Sequence, residues 1–134
     1  MPTSASERRG AVLRWLGFTL GALFFASGLT KLLGFAAWDR LFQAFGLPAW
    51  SVYLVGAIEL ESGVLAFMAP TRPYGAMGIA VVAAGATLAR AFTGVALPLM
   101  LLDALLFTAA VWIVREQRPA FLSPREVEEH PHGA

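Results

Sequence analysis

Lys31, Glu59, Glu61, Arg90 and Asp103 are the residues whose types and positions could do chemistry. Each stands inside a long apolar run or near its end. A charged side chain at the centre of a bilayer costs at least ~2.5–3.5 kcal/mol on insertion scales, so its presence there calls for a reason. Carboxylates and cations enclosed by apolar walls can carry protons, hydrogen-bond a ligand's polar head, or neutralise one another. Other chemistry is thinly represented. The chain has no cysteine, which excludes thiol chemistry and thiolate metal sites. Its histidines, His130 and His132, sit in a polar terminal segment with Glu126, Glu128 and Glu129, and no metal site is expected there. A nucleophile-elbow motif, a phosphate loop and metal-ligand spacing are all missing, so catalysis by this polypeptide alone is not expected.

Helical spacing says where two of the charges point. Gly17, Gly21, Phe24, Gly28 and Lys31 recur at steps of four and three. Val52, Gly56, Glu59, Gly63 and Ala66 make a second stripe of the same kind. Small residues let membrane helices approach closely, and Gly17–Gly21 is a GxxxG pair. Lys31 and Glu59 therefore share the inward faces of their helices, with Gly17, Gly21, Gly28, Gly56 and Gly63 as packing positions. Asp103 lines up with Leu99, Leu106 and Ala110, and Arg90 with Ile79, Ala83 and Ala86. Glu61 stands about 200° around the helix from Glu59 and cannot share its seam. Two positive against three negative charges leave one carboxyl without a cation, and desolvation favours its protonated form. Glu61 is expected to be that group.

The elements that must position these residues are four membrane spans. Crossing about 30 Å of hydrocarbon takes ~20 mostly apolar residues. Four stretches qualify, at about 12–34, 50–69, 74–92 and 97–114. Pro70-Thr71-Arg72-Pro73 breaks the second from the third. Thr93-Gly94 with Pro98 makes a tight turn between the third and fourth. Between the first two, Trp38, Leu41, Phe42 and Phe45 recur at helical spacing, with Asp39, Arg40 and Gln43 elsewhere on the wheel. That pattern predicts a short amphipathic helix lying in the interface and ended by Gly46 and Pro48. The expected fold is all-α: a four-transmembrane-helix bundle over residues 12–114, with polar tails at 1–11 and 115–134, the second of them disordered.

Composition agrees. Apolar residues make up 57% and charged residues 14% of the 134, where roughly 25% charged is usual. A net charge of +1 argues against nucleic-acid binding, which needs a clustered basic face. With the N-terminus inside, Arg8, Arg9, Arg14, Arg72, Arg115, Arg118 and Arg125 fall on one side, and Lys31, Arg40 and Arg90 on the other. The positive-inside rule then puts both termini in the cytoplasm of a multi-pass plasma (inner) membrane protein. Arg8-Arg9 before an apolar run ending at Ala26-Ser27-Gly28 imitates a cleavable signal peptide, but the run exceeds the usual 7–15 residues. It is read as retained. At ~1.5 Å per residue, the five charges lie between the outer face and the midplane, so a polar pocket open to the outer side is expected.

Gly28-Leu29-Thr30-Lys31, then Phe45-Gly46-Leu47-Pro48, then Gly56-Ala57-Ile58-Glu59-Leu60 with Gly63 make a pattern over roughly Val12 to Arg115. It resembles the DoxX and DoxX-like family of small four-helix integral membrane proteins. The resemblance implies a membrane redox setting: the family takes its name from a membrane subunit of a thiosulfate:quinone oxidoreductase. Glu59 and Lys31 fall on its recurring polar positions; Glu61 does not. The first expectation is thus an accessory, quinone-linked subunit working with a redox partner protein or as a homo-oligomer, with quinone as its candidate ligand. A small proton-coupled transporter and a membrane assembly or scaffold protein are the alternatives.

Overall fold

The structure is a computed structural model that describes residues 4–94 and 97–118. Five helices follow in order: α1 (Ala5–Leu32), α2 (Ala36–Ala44), α3 (Trp50–Phe67), α4 (Arg72–Thr93) and α5 (Leu97–Gln117). Four of them, all but α2, are long and apolar enough to cross a membrane. Among the described residues the chain is an all-helical, four-span bundle.

Two boundaries differ from the sequence expectation. α1 begins at Ala5, seven residues before the apolar run. Ser4 Oγ accepts from the Glu7 amide at 3.3 Å, and Glu7 Oε2 accepts from the Ser4 amide at 2.8 Å. This reciprocal box satisfies donors that would otherwise end the helix, so α1 begins within the polar segment that precedes the apolar run. At the other end α5 runs on through Arg115, Glu116 and Gln117, and Arg9 pairs with Glu116 at 3.3 Å. The rest of the expected C-terminal tail, including His130 and His132, lies outside the described residues.

The connections follow from local chemistry. Gly34, Gly46 and Gly94 have φ of +74°, +72° and +68°, a region that glycine enters without a Cβ penalty. The first two frame α2 and fold it back against the start of α3. Pro73 occupies the first turn of α4, where its missing N–H costs nothing.

The bundle is built from two intimate pairs, α1 on α3 and α4 on α5, joined by α3 against α4. The α1–α3 seam is nearly backbone on backbone. A Cβ added at Gly28 would lie 2.5 Å from the Leu60 amide nitrogen and 2.6 Å from the Gly56 carbonyl oxygen. One added at Gly63 would meet the Phe25 amide nitrogen at 2.6 Å and the Gly21 carbonyl oxygen at 2.8 Å. Without a hydrophobic driving force between spans, such close van der Waals contact is what holds them. Large side chains point outward instead: Trp15, Val81, Phe92 and Leu105 are all exposed, as lipid-facing residues should be.

The core divides by level. Leu13, Leu20, Ala66, Ala76, Ile79, Ala110 and Ile113 pack together towards the end where α1 and α4 begin. The buried charges Lys31, Glu59 and Asp103 lie towards the opposite end. The interior of the first half is apolar apart from Arg72 at the start of α4, and the second half holds the buried ion pairs.

Candidate functional site

The last turn of α1 and the middle of α3 bring Lys31 and Glu59 together. Lys31 Nζ donates to Glu59 Oε2 at 2.6 Å, and their side chains are only 4% and 7% exposed. Ser27, one helical turn before Lys31, joins them: its Oγ accepts from Lys31 Nζ at 2.8 Å and donates to the same Glu59 oxygen at 3.0 Å. The glycine seam explains the closeness. A Cβ at Gly56 would lie 2.8 Å from Lys31 Cβ, so any larger residue would push the lysine away from its carboxylate. Position also suits the charge, because a cation in a helix's final turn faces the negative end of the helix dipole.

α2 closes the cluster. The face of Trp38 lies 3.6 Å from Lys31 Nζ, a cation–π contact that strengthens away from water. Trp38 is itself held, since its Nε1 donates to Thr30 Oγ1 at 3.0 Å while Thr30 donates to the Ser27 carbonyl at 2.9 Å. The polar cluster is thus covered by one aromatic ring on a short helix. The two groups are buried against each other, towards the end of the bundle where an outward-opening polar pocket is expected from the depth of the five charges. The opening at the far end, lined by Ala5, Ser6, Arg9, Gly10, Leu13 and Glu116, is remote from them.

A second pair joins α4 to α5. Arg90 Nη1 donates to Asp103 Oδ2, and the side chains are 15% and 11% exposed. The same nitrogen lies 3.5 Å from the Leu99 carbonyl oxygen. Arg90 Nε is buried with no hydrogen-bond partner among the described residues. Arg90 is near enough to Lys31 for their charges to repel, so the two neutral pairs are neighbours at one level.

Four of the five expected residues therefore meet as two pairs. Glu61 does not join them. It is exposed on the outer side of α3 and makes no hydrogen bond or ion pair among the described residues. Three participants went unforeseen: Ser27, Thr30 and Trp38. Ser27 carried a signal, four residues before Lys31 on the same face. Trp38 read only as an interfacial aromatic, because nothing local tells which cation an aromatic ring will cover.

Chemically, the cluster offers a cation and a carboxylate at the end of an apolar bundle. Both hydrogen bonds to Glu59 fall on Oε2; its Oε1 accepts none from a described residue. A ligand hydroxyl or a proton could be taken there. Among the described residues no group of His, Cys, Asp and Glu side chains is arranged to hold a metal ion.

The family model described as DoxX matches residues 12–94, which carry Lys31, Glu59, Trp38 and Arg90 but stop short of Asp103. A protein of Bacillus subtilis (strain 168) named "Putative oxidoreductase CatD" is 43% identical over 47 residues. That stretch is 35% of this chain and 35% of the relative, so the likeness spans about a third of each. No solved structure matches the chain. Because the family match runs over most of the sequence, through the α1–α3 seam and the cluster it encloses, this chain belongs to the DoxX family.

Proposed function

We propose that this chain is a membrane subunit of a quinone-linked redox complex, lying in the plasma (inner) membrane with both termini in the cytoplasm. The observation that carries the reading is the Lys31–Ser27–Glu59 cluster. It is a buried donor–acceptor set at the end of an apolar bundle, covered by Trp38 from the interfacial helix. A quinone head needs a donor for its carbonyl oxygen and an acceptor for the hydroxyl it gains on reduction. Lys31 supplies the first and Glu59 Oε1 the second, once α2 shifts enough to admit the ring. In this reading a partner protein supplies the electrons. The family membership and the partial likeness to a relative named as an oxidoreductase support the redox setting.

The test is extraction of quinone from gently purified, monodisperse protein. Quinone is expected with the native chain and its loss with Glu59→Gln. A well-behaved native sample without quinone would reject the proposal. A second reading has its own support: each charge of the cluster already satisfies the other, as a clip between α1 and α3 would. In that case Lys31→Met/Glu59→Gln together would leave the assembled complex active, whereas a quinone site would be destroyed.

A further inference from the structure

Arg72 is the anomaly of the other end. It opens α4, yet the residue is only 5% exposed, although an arginine at a span's end can ordinarily snorkel to water. Its Nε donates to the Ala66 carbonyl at 3.2 Å. The guanidinium lies in a hollow on α1 that exists because residue 17 is glycine. A Cβ there would sit 2.5 Å from Arg72 Nε and 2.6 Å from Cδ. Gly17, expected as a helix-packing glycine, thus makes room for an arginine.

A guanidinium has five N–H donors, and here one bond is made. The two terminal nitrogens donate to no described group and, unlike Arg90 Nε, are not fully buried. Arg14 lies near enough for the two positive charges to repel, and it too makes no ion pair among the described residues. The described carboxylates of this end are engaged elsewhere: Glu7 in its capping box and Glu116 with Arg9. Two neighbouring cations with no anion among the described residues, one of them in a made hollow, constitute half of a site.

We infer that Arg72 and Arg14 bind a phosphate-type oxyanion at the arginine-rich end of the bundle. Guanidinium groups present paired donors that match two oxygens of such a group. The surroundings favour a lipid headgroup over free phosphate. Trp15 and Phe18 are exposed beside Arg14 and Gly17, and Trp15, Phe18 and Phe67 form a run of ring contacts at 6.4 and 5.9 Å. Tryptophan at headgroup level is the usual neighbour of a membrane interface. The inference is independent of the redox reading.

The test uses the full chain in nanodiscs. Native mass spectrometry would count phosphatidylglycerol retained from discs that also contain phosphatidylcholine. Isothermal titration calorimetry in phosphatidylcholine discs would report binding of inorganic phosphate. Retention of the anionic lipid is expected, and Arg72→Gln should weaken it about five- to tenfold. Gly17→Ala keeps both charges but fills the hollow, and should weaken it too. Arg40→Gln, at the other end, should leave it unchanged. Circular dichroism confirms that each variant is folded. Phosphate binding without lipid retention would keep the site and name the free ion as its ligand. Neither binding, or equal weakening by Arg40→Gln and Arg72→Gln, would overturn the inference.

Discussion

The α1–α3 and α4–α5 interfaces each carry one lysine- or arginine-to-carboxylate pair, yet they are built on opposite plans. In the first, glycines bring the two backbones nearly into contact and the ions sit inside that seam. Lys31 then has Ser27, Glu59 and the Trp38 ring around it. In the second, Arg90 reaches Asp103 from close to the end of its helix, is more exposed, and leaves its Nε without a partner among the described residues. A buried pair is hard to break because the survivor is left as an uncompensated charge. A pair near a helix end has headgroups and water as alternatives. The first seam is therefore the one whose chemistry and stability are coupled.

The sharpest way to break this contrast is to remove one carboxylate from each pair. Glu59→Gln should cost about 3–5 kcal/mol of bundle stability, because Lys31 remains buried and unpaired. Asp103→Asn should cost less than about half of that. Unfolding in mixed micelles measures both. Equal losses would mean that the two interfaces do not differ in kind.

The seam itself can be tested without touching a charge. Gly28→Leu forces a side chain into the Leu60 and Gly56 backbone, and overpacking of this kind costs typically about 1–3 kcal/mol. Gly85 has nothing within 4 Å of an added Cβ, so Gly85→Ala on α4 should be neutral or slightly stabilising. The same unfolding assay reads both, and a tolerated leucine at 28 would discard the close-contact account.

The smallest effect is expected at the cover. Trp38→Leu removes a cation–π contact worth about 0.5–2 kcal/mol, but its clearer consequence is access. Lys31 is the sole lysine in the sequence, so an amine-acylating reagent reports on it directly, the N-terminus serving as internal reference. Faster acylation of Lys31 in Trp38→Leu is the expected result. An unchanged rate would show that Trp38 does not guard the cluster.

Much of this architecture was legible before any coordinates. The spans and the interfacial helix follow from run length, turn residues and the 3.6-residue period, and those are local properties of the chain. The beginning of α1 was legible in principle, since Ser4 and Glu7 stand at capping-box spacing. It was missed because hydropathy marks where lipid begins and not where hydrogen bonding does. The glycine stripes put Lys31 and Glu59 on inward faces, but a stripe fixes only a direction around one helix.

Sequence alone therefore determined that this is a four-span membrane protein with charges it must shelter, because bilayer thickness and the cost of ions in hydrocarbon constrain every residue separately. Tertiary structure decided which charge meets which. Arg90 could have met Glu59, and Arg72 could have snorkelled to water. Partner choice depends on the relative height and rotation of two helices, set by all their contacts together, and no single residue's spacing encodes it.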